Sequence, residues 1–111
     1  MVEGFWIVQY EGMKGNGGGV AMFIKGQVFG GDTGYTYLGS YQAQGDSVKA
    51  SVKVRNFLPN IPSVLGVVGD FELNIEGTFT GDVVRATGSL SKEQQSVGIA
   101  LKLTKVADLP A

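Results

Sequence analysis

The chain has no cysteine and no histidine among its 111 residues, and these two absences remove more chemistry than any residue present supplies. Without them there is no disulfide framework, no thiolate or imidazole metal site, and no Ser-His or Cys-His nucleophile pair. A cysteine-free chain fits a cytoplasmic location. Proline is scarce at three residues, so little interrupts strand pairing. Charge is sparse and balanced, with Lys and Arg at 9, Asp and Glu at 10 and a net charge of -1. No field of one sign draws in nucleic acid or an anionic membrane, and no local cluster of Lys and Arg does so either. Long hydrophobic runs are also missing. The run Phe5-Trp6-Ile7-Val8 is short and follows Glu3 rather than positive charge, so it is not a signal peptide, and no stretch is long enough to cross a bilayer.

What the chain has in excess is glycine, at 18 residues. In a β-rich sequence such glycines mark turns, bulges and bends of a curved sheet. The organising stretch is a hairpin. Gln27-Val28-Phe29 leads into Gly30-Gly31-Asp32, and Tyr35-Thr36-Tyr37-Leu38-Gly39-Ser40-Tyr41 leads out, so the glycines are expected to supply the positive φ of a tight turn. Asp32 is expected to close that turn by accepting backbone N–H bonds. Beyond it, Tyr35, Tyr37, Gly39 and Tyr41 share one face while Thr36, Leu38, Ser40 and Gln42 share the other.

The same period of two recurs along the chain. A first strand is expected over 4–11 and a second over 19–25. The Gly-rich stretch 12–19 between them reads as a hairpin tip. It is no phosphate cradle, because no GKS or GKT ending follows and the next segment is a strand. The fifth strand alternates most cleanly, with Val48, Ala50, Val52 and Val54 against Ser47, Lys49, Ser51, Lys53 and Arg55. Residues 56–66 carry two of the prolines and break the meander; a short helical segment near 61–66 is expected there, plugging one end or covering a cavity. Further strands follow over 70–80, 83–90 and 96–104. Eight short-turned strands are about the number at which a sheet closes on itself, so the expected fold is all-β: one domain over 1–111, an eight-stranded antiparallel up-and-down barrel. A two-layer sandwich is the rival.

Parity then sorts the side chains. The expected interior holds Trp6, Val8, Tyr10, Val20, Met22, Ile24, Val52, Val54, Phe71, Leu73, Ile99 and Leu101, whose bulk favours a filled or nearly filled barrel. If space remains, it is lined by Trp6, Tyr10, Met22, Val52, Phe71 and Leu101 and takes a small apolar ligand, since that set holds no charge. Arg85 reaches an anionic head group only if its strand points it inward. Phe5, Ile7 and Phe23 are expected outside, as adjacent apolar side chains that a second copy of the chain would cover, making a homodimer. Glu72 and Glu76 share a wet face, no pair of carboxylates falls at catalytic separation, and neither an enzyme, a cofactor nor a metal is expected.

Two sets of residues are familiar. Gly4-Phe5-Trp6 resembles the Gly-x-Trp start of lipocalin and avidin barrels, in which the Trp packs across the closed end. The larger set is Gly30-Gly31-Asp32, Tyr37-Leu38-Gly39, Arg55-Asn56, Ile61-Pro62-Ser63-Val64-Leu65 and Asp70-Phe71-x-Leu73-x-Ile75. In order and spacing it resembles the GrlR family, bacterial regulators with a small lipocalin-like barrel. The resemblance implies a cytoplasmic, dimerising, non-enzymatic barrel that represses type III secretion genes by binding a transcriptional activator. The loops around Gln44 and Asp46 and around Ile61 and Val64 are expected to be available to a partner; the resemblance ties the first of them to activator binding. The loop Gln42-Ala43-Gln44-Gly45-Asp46 carries one acid, where the family's best-known member presents an acidic run.

Overall fold

The computed structural model describes residues 2–12, 15–58, 70–90 and 98–109. Eight strands run in chain order: β1 (Gly4–Gly12), β2 (Gly15–Ile24), β3 (Gln27–Gly31), β4 (Tyr35–Gln44), β5 (Ser47–Asn56), β6 (Phe71–Thr80), β7 (Val83–Leu90) and β8 (Gly98–Ala107). Each pairs antiparallel with its sequence neighbours, and β1 also pairs with β8, so the sheet closes into a barrel with no free edge. The sandwich alternative is excluded. The helical segment expected near 61–66 lies outside the described residues, which contain no helix.

Short turns follow from local chemistry. Lys25 and Gly26 both take positive φ, 49° and 80°, as a two-residue hairpin loop with the twist of its strands requires. The Lys25 amide donates to Glu3 Oε2 at 2.7 Å, which ties the N-terminal residues to this turn. The Gly30-Gly31 corner differs from expectation. Neither glycine takes a positive φ, and both belong to β3. They are small because the sheet crowds them: a methyl group at Gly30 would stand 2.2 Å from the Val20 carbonyl oxygen. The turn itself is made by Asp32, as expected, whose Oδ1 accepts from the amides of Gly34 and Tyr35 at 2.9 Å each. The Gly-rich stretch differs too, because residues 15–19 form the start of β2, paired with Val8 to Gly12.

The two ends of the barrel are unlike. At one end, Trp6 is fully buried, and its indole Nε1 donates to the Val2 carbonyl at 2.8 Å. Phe23 and Phe79 meet the Trp6 ring edge-on at 6.0 and 6.1 Å between centroids, and the Lys105 ammonium stands 5.7 Å from its centre. This is the floor, and it also carries the turns at 25–26, 45–46 and 81–82. The opposite end carries the Asp32 turn and the far ends of β1, β5 and β7.

Candidate functional site

Inside the barrel lies a cavity of about 320 Å³. The expected filling fails because the parity of β2 is the reverse of the one expected. Phe23 is 6 % exposed and faces in, whereas Met22 is 36 % exposed and faces out with Val20. Pairing decides this. Trp6 stands opposite Ala21 and Phe5 opposite Met22, and residues directly opposite share a face of the sheet. With Trp6 inside, Ala21 and Phe23 must follow it. The interior thus exchanges Val20, Met22 and Ile24 for Gly17, Ala21 and Phe23, and the cavity wall is completed by further small residues, Ala50, Gly77 and Ala86. Of the residues expected to line a cavity, Trp6, Tyr10, Val52, Phe71 and Leu101 do so, and Met22 does not.

One end of this apolar space is polar. Asp32 Oδ2 accepts from the Tyr10 hydroxyl at 2.5 Å and from the Tyr37 hydroxyl, while its Oδ1 holds the turn amides. All three side chains line the cavity, so a carboxylate does reach the interior, contrary to the expectation of an uncharged lining. Burial, and then the bond to Asp32, push the Tyr10 phenol up to about 12. Tyr37 is raised by the same causes in the same order. Both phenols therefore keep their protons at neutral pH and spend them on Asp32. Sequence reading found Asp32 and the tyrosines separately but not their meeting, since 22 residues separate Tyr10 from Asp32.

Outside, the wall divides in two. Ile7 on β1, Val20 and Met22 on β2, Phe29 on β3 and Leu38 on β4 are all exposed. They are neighbours: Ile7 pairs with Val20, Met22 with Phe29, and Phe29 with Leu38, so they form one uncharged patch across four strands. Phe5, half-buried opposite Met22, borders it. Phe23, expected in this patch, is buried inside the barrel. The other half of the wall is charged. Lys49 pairs with Glu76 at 3.8 Å, Lys53 stands opposite Glu72, and Arg85 points outward opposite Lys102.

Gln44 and Asp46 are exposed at the floor end, whereas β5 carries the chain to Phe57 at the other end. Ile61 and Val64 lie outside the described residues. Among the described residues no group of three or more acidic, His or Cys side chains is placed to hold a metal, and no helix is long and apolar enough to cross a membrane.

A closed eight-stranded antiparallel barrel with a largely apolar interior and one uncharged outer wall defines the class, a small up-and-down β-barrel. The family model described as "T3SS negative regulator, GrlR" matches residues 1–100, and the chain belongs to the GrlR family. No curated protein matches it. The family is a regulatory one, named for negative regulation of type III secretion.

Proposed function

We propose that this chain is a non-enzymatic negative regulator of type III secretion that acts by protein–protein contact in the cytoplasm, as a homodimer. Family membership over residues 1–100 carries the reading. The outer patch of Ile7, Val20, Met22, Phe29 and Leu38 supports the dimer. It offers no charge for an oppositely charged partner to pair with, and an uncharged apolar patch meets its own copy about a two-fold axis without like-charge repulsion. A transcriptional activator is the proposed regulatory partner, with the exposed loop at Gln44 and Asp46 free to meet it beyond the dimer contact.

Phe29→Asp places a charge in the middle of the patch without touching the interior. The expected result is a monomer mass in light scattering where the unaltered chain gives a dimer; an unaltered chain of monomer mass, or a variant that stays dimeric, overturns the interface. Producing the chain in cells should lower the output of a type III secretion promoter reporter. A reporter indifferent to it overturns the regulatory reading.

A second reading is supported by the cavity of about 320 Å³, which falls at the small end of ligand-sized spaces. In it the barrel carries or senses a small apolar molecule.

A further inference from the structure

We propose that the barrel takes an apolar molecule whose polar end is a hydrogen-bond donor, an alcohol or an amine, seated against the hydroxyls of Tyr10 and Tyr37 with its apolar body directed toward Trp6. The proposal rests on the second reading, that the interior holds an apolar ligand.

The argument is one of donors and acceptors. A phenol has a single proton to donate, and both Tyr10 and Tyr37 give theirs to Asp32 Oδ2. The other carboxylate oxygen is occupied by the amides of Gly34 and Tyr35. What this end of the cavity presents to a ligand is therefore the lone pairs of two phenol oxygens, backed by a negative charge. A hydroxyl or ammonium group finds acceptors there and a favourable field. A carboxylate finds like charge, and among the described residues the other side-chain donors lining the cavity are the hydroxyl of buried Tyr35 and, where the wall is exposed to water, Asn16 and Thr33. Leaving a charged head without partners in such a place is costly, so an acid is selected against.

The arrangement is built into the fold. A methyl group at Gly17 would stand 2.6 Å from the Tyr10 ring, and one at Gly19 would stand 2.5 Å from the Gly31 carbonyl oxygen and 3.0 Å from both the Tyr37 hydroxyl and Asp32 Cβ. Glycine at these two positions of β2 makes the space in which the two rings and the carboxylate converge. Because Tyr10 loses its proton only at about 12, the bonds to Asp32 hold throughout the neutral range. The dimensions agree with a small molecule. Tyr10 and Trp6 are four residues apart on β1, about 13 Å along the strand, and the volume of about 320 Å³ equals that of about ten liquid waters.

The test is titration of the purified full chain near neutral pH with 1-decanol, decylamine and sodium decanoate, each below the concentration at which it aggregates. Binding is read by calorimetry and by emission of Trp6, the single tryptophan of the chain. Decanol and decylamine are expected to bind about tenfold or more tightly than decanoate. In Asp32→Asn, which removes the charge and frees the phenol protons, decanoate should recover by about tenfold relative to decanol. The comparison on the unaltered chain stands by itself if that variant does not fold. Decanoate binding as tightly as the other two, or no recovery in folded Asp32→Asn, overturns the head-group assignment while leaving an apolar-ligand barrel. Failure of all three probes to bind overturns the apolar-ligand reading as well.

Discussion

Replacing Asp32 by Asn changes one atom of the side chain and tests the whole polar end of the barrel. The amide oxygen can still accept from Gly34 and Tyr35, so the turn between β3 and β4 keeps its two bonds. The amide nitrogen in place of Oδ2 cannot accept from Tyr10 or Tyr37. Two charge-assisted hydrogen bonds are lost, at about 1.5–3 kcal/mol each in buried settings. Part of that loss is offset, because the new N–H groups can donate to the phenol oxygens and the cluster is only part-buried. The expected net destabilisation is about 2 kcal/mol, which for a chain of this length moves the urea midpoint by about 1 M. Alkaline titration followed at the phenolate absorbance supplies a second readout. Tyr10 should titrate below its value of about 12, yet above an ordinary tyrosine, since burial is the larger cause of its rise and survives the substitution. A variant whose urea midpoint and Tyr10 titration both match the unaltered chain would refute the assignment of these bonds.

Two further perturbations address the rest of the interior. Tyrosines of the unfolded chain lose their protons near pH 10, whereas folded Tyr10 holds its own to about 12 and Tyr37 is raised as well. The unfolded state thus releases protons that the native state keeps, so this contribution to stability is complete below about pH 10 and is lost as pH rises toward about 12; urea midpoints measured across that interval should fall, and a flat profile would contradict it. Trp6→Ala removes the ring that Phe23 and Phe79 pack against and the donor of the Val2 carbonyl, for an expected loss of about 3–5 kcal/mol by far-UV circular dichroism in urea. A loss below about 1 kcal/mol would mean that the floor does not depend on Trp6.

Legibility in the sequence tracked how one-sided each strand is. β5 alternates valine and alanine with lysine, serine and arginine, so its parity was evident, and β7 falls at 83–90 as its turn residues indicate. β2 is ambiguous in the sequence because Val20, Met22 and Ile24 on one face are as apolar as Ala21 and Phe23 on the other. Hydrophobicity alone cannot choose between such faces; the pairing of Ala21 with Trp6 does. The glycines at 17 and 19 read locally as a hairpin tip, whereas their smallness answers to neighbouring strands: Gly17 to the Tyr10 ring, and Gly19 to the Gly31 carbonyl, Asp32 and the Tyr37 hydroxyl.

Composition and periodicity by themselves determined that this chain is all-β, that Asp32 caps a turn, and that nucleophile pairs and metal sites needing Cys or His are absent. These follow from covalent identity and from the two-residue repeat of an extended backbone, which are properties of neighbours in sequence. Closure against the sandwich alternative came from the pairing of β1 with β8. The tertiary structure alone decided which face of β2 is inside, and with it the existence of the cavity and the identity of the outer patch. It alone brought Tyr10, Asp32 and Tyr37 onto one another, because the register between β1, β2, β3 and β4 is set by how the whole barrel closes around Trp6.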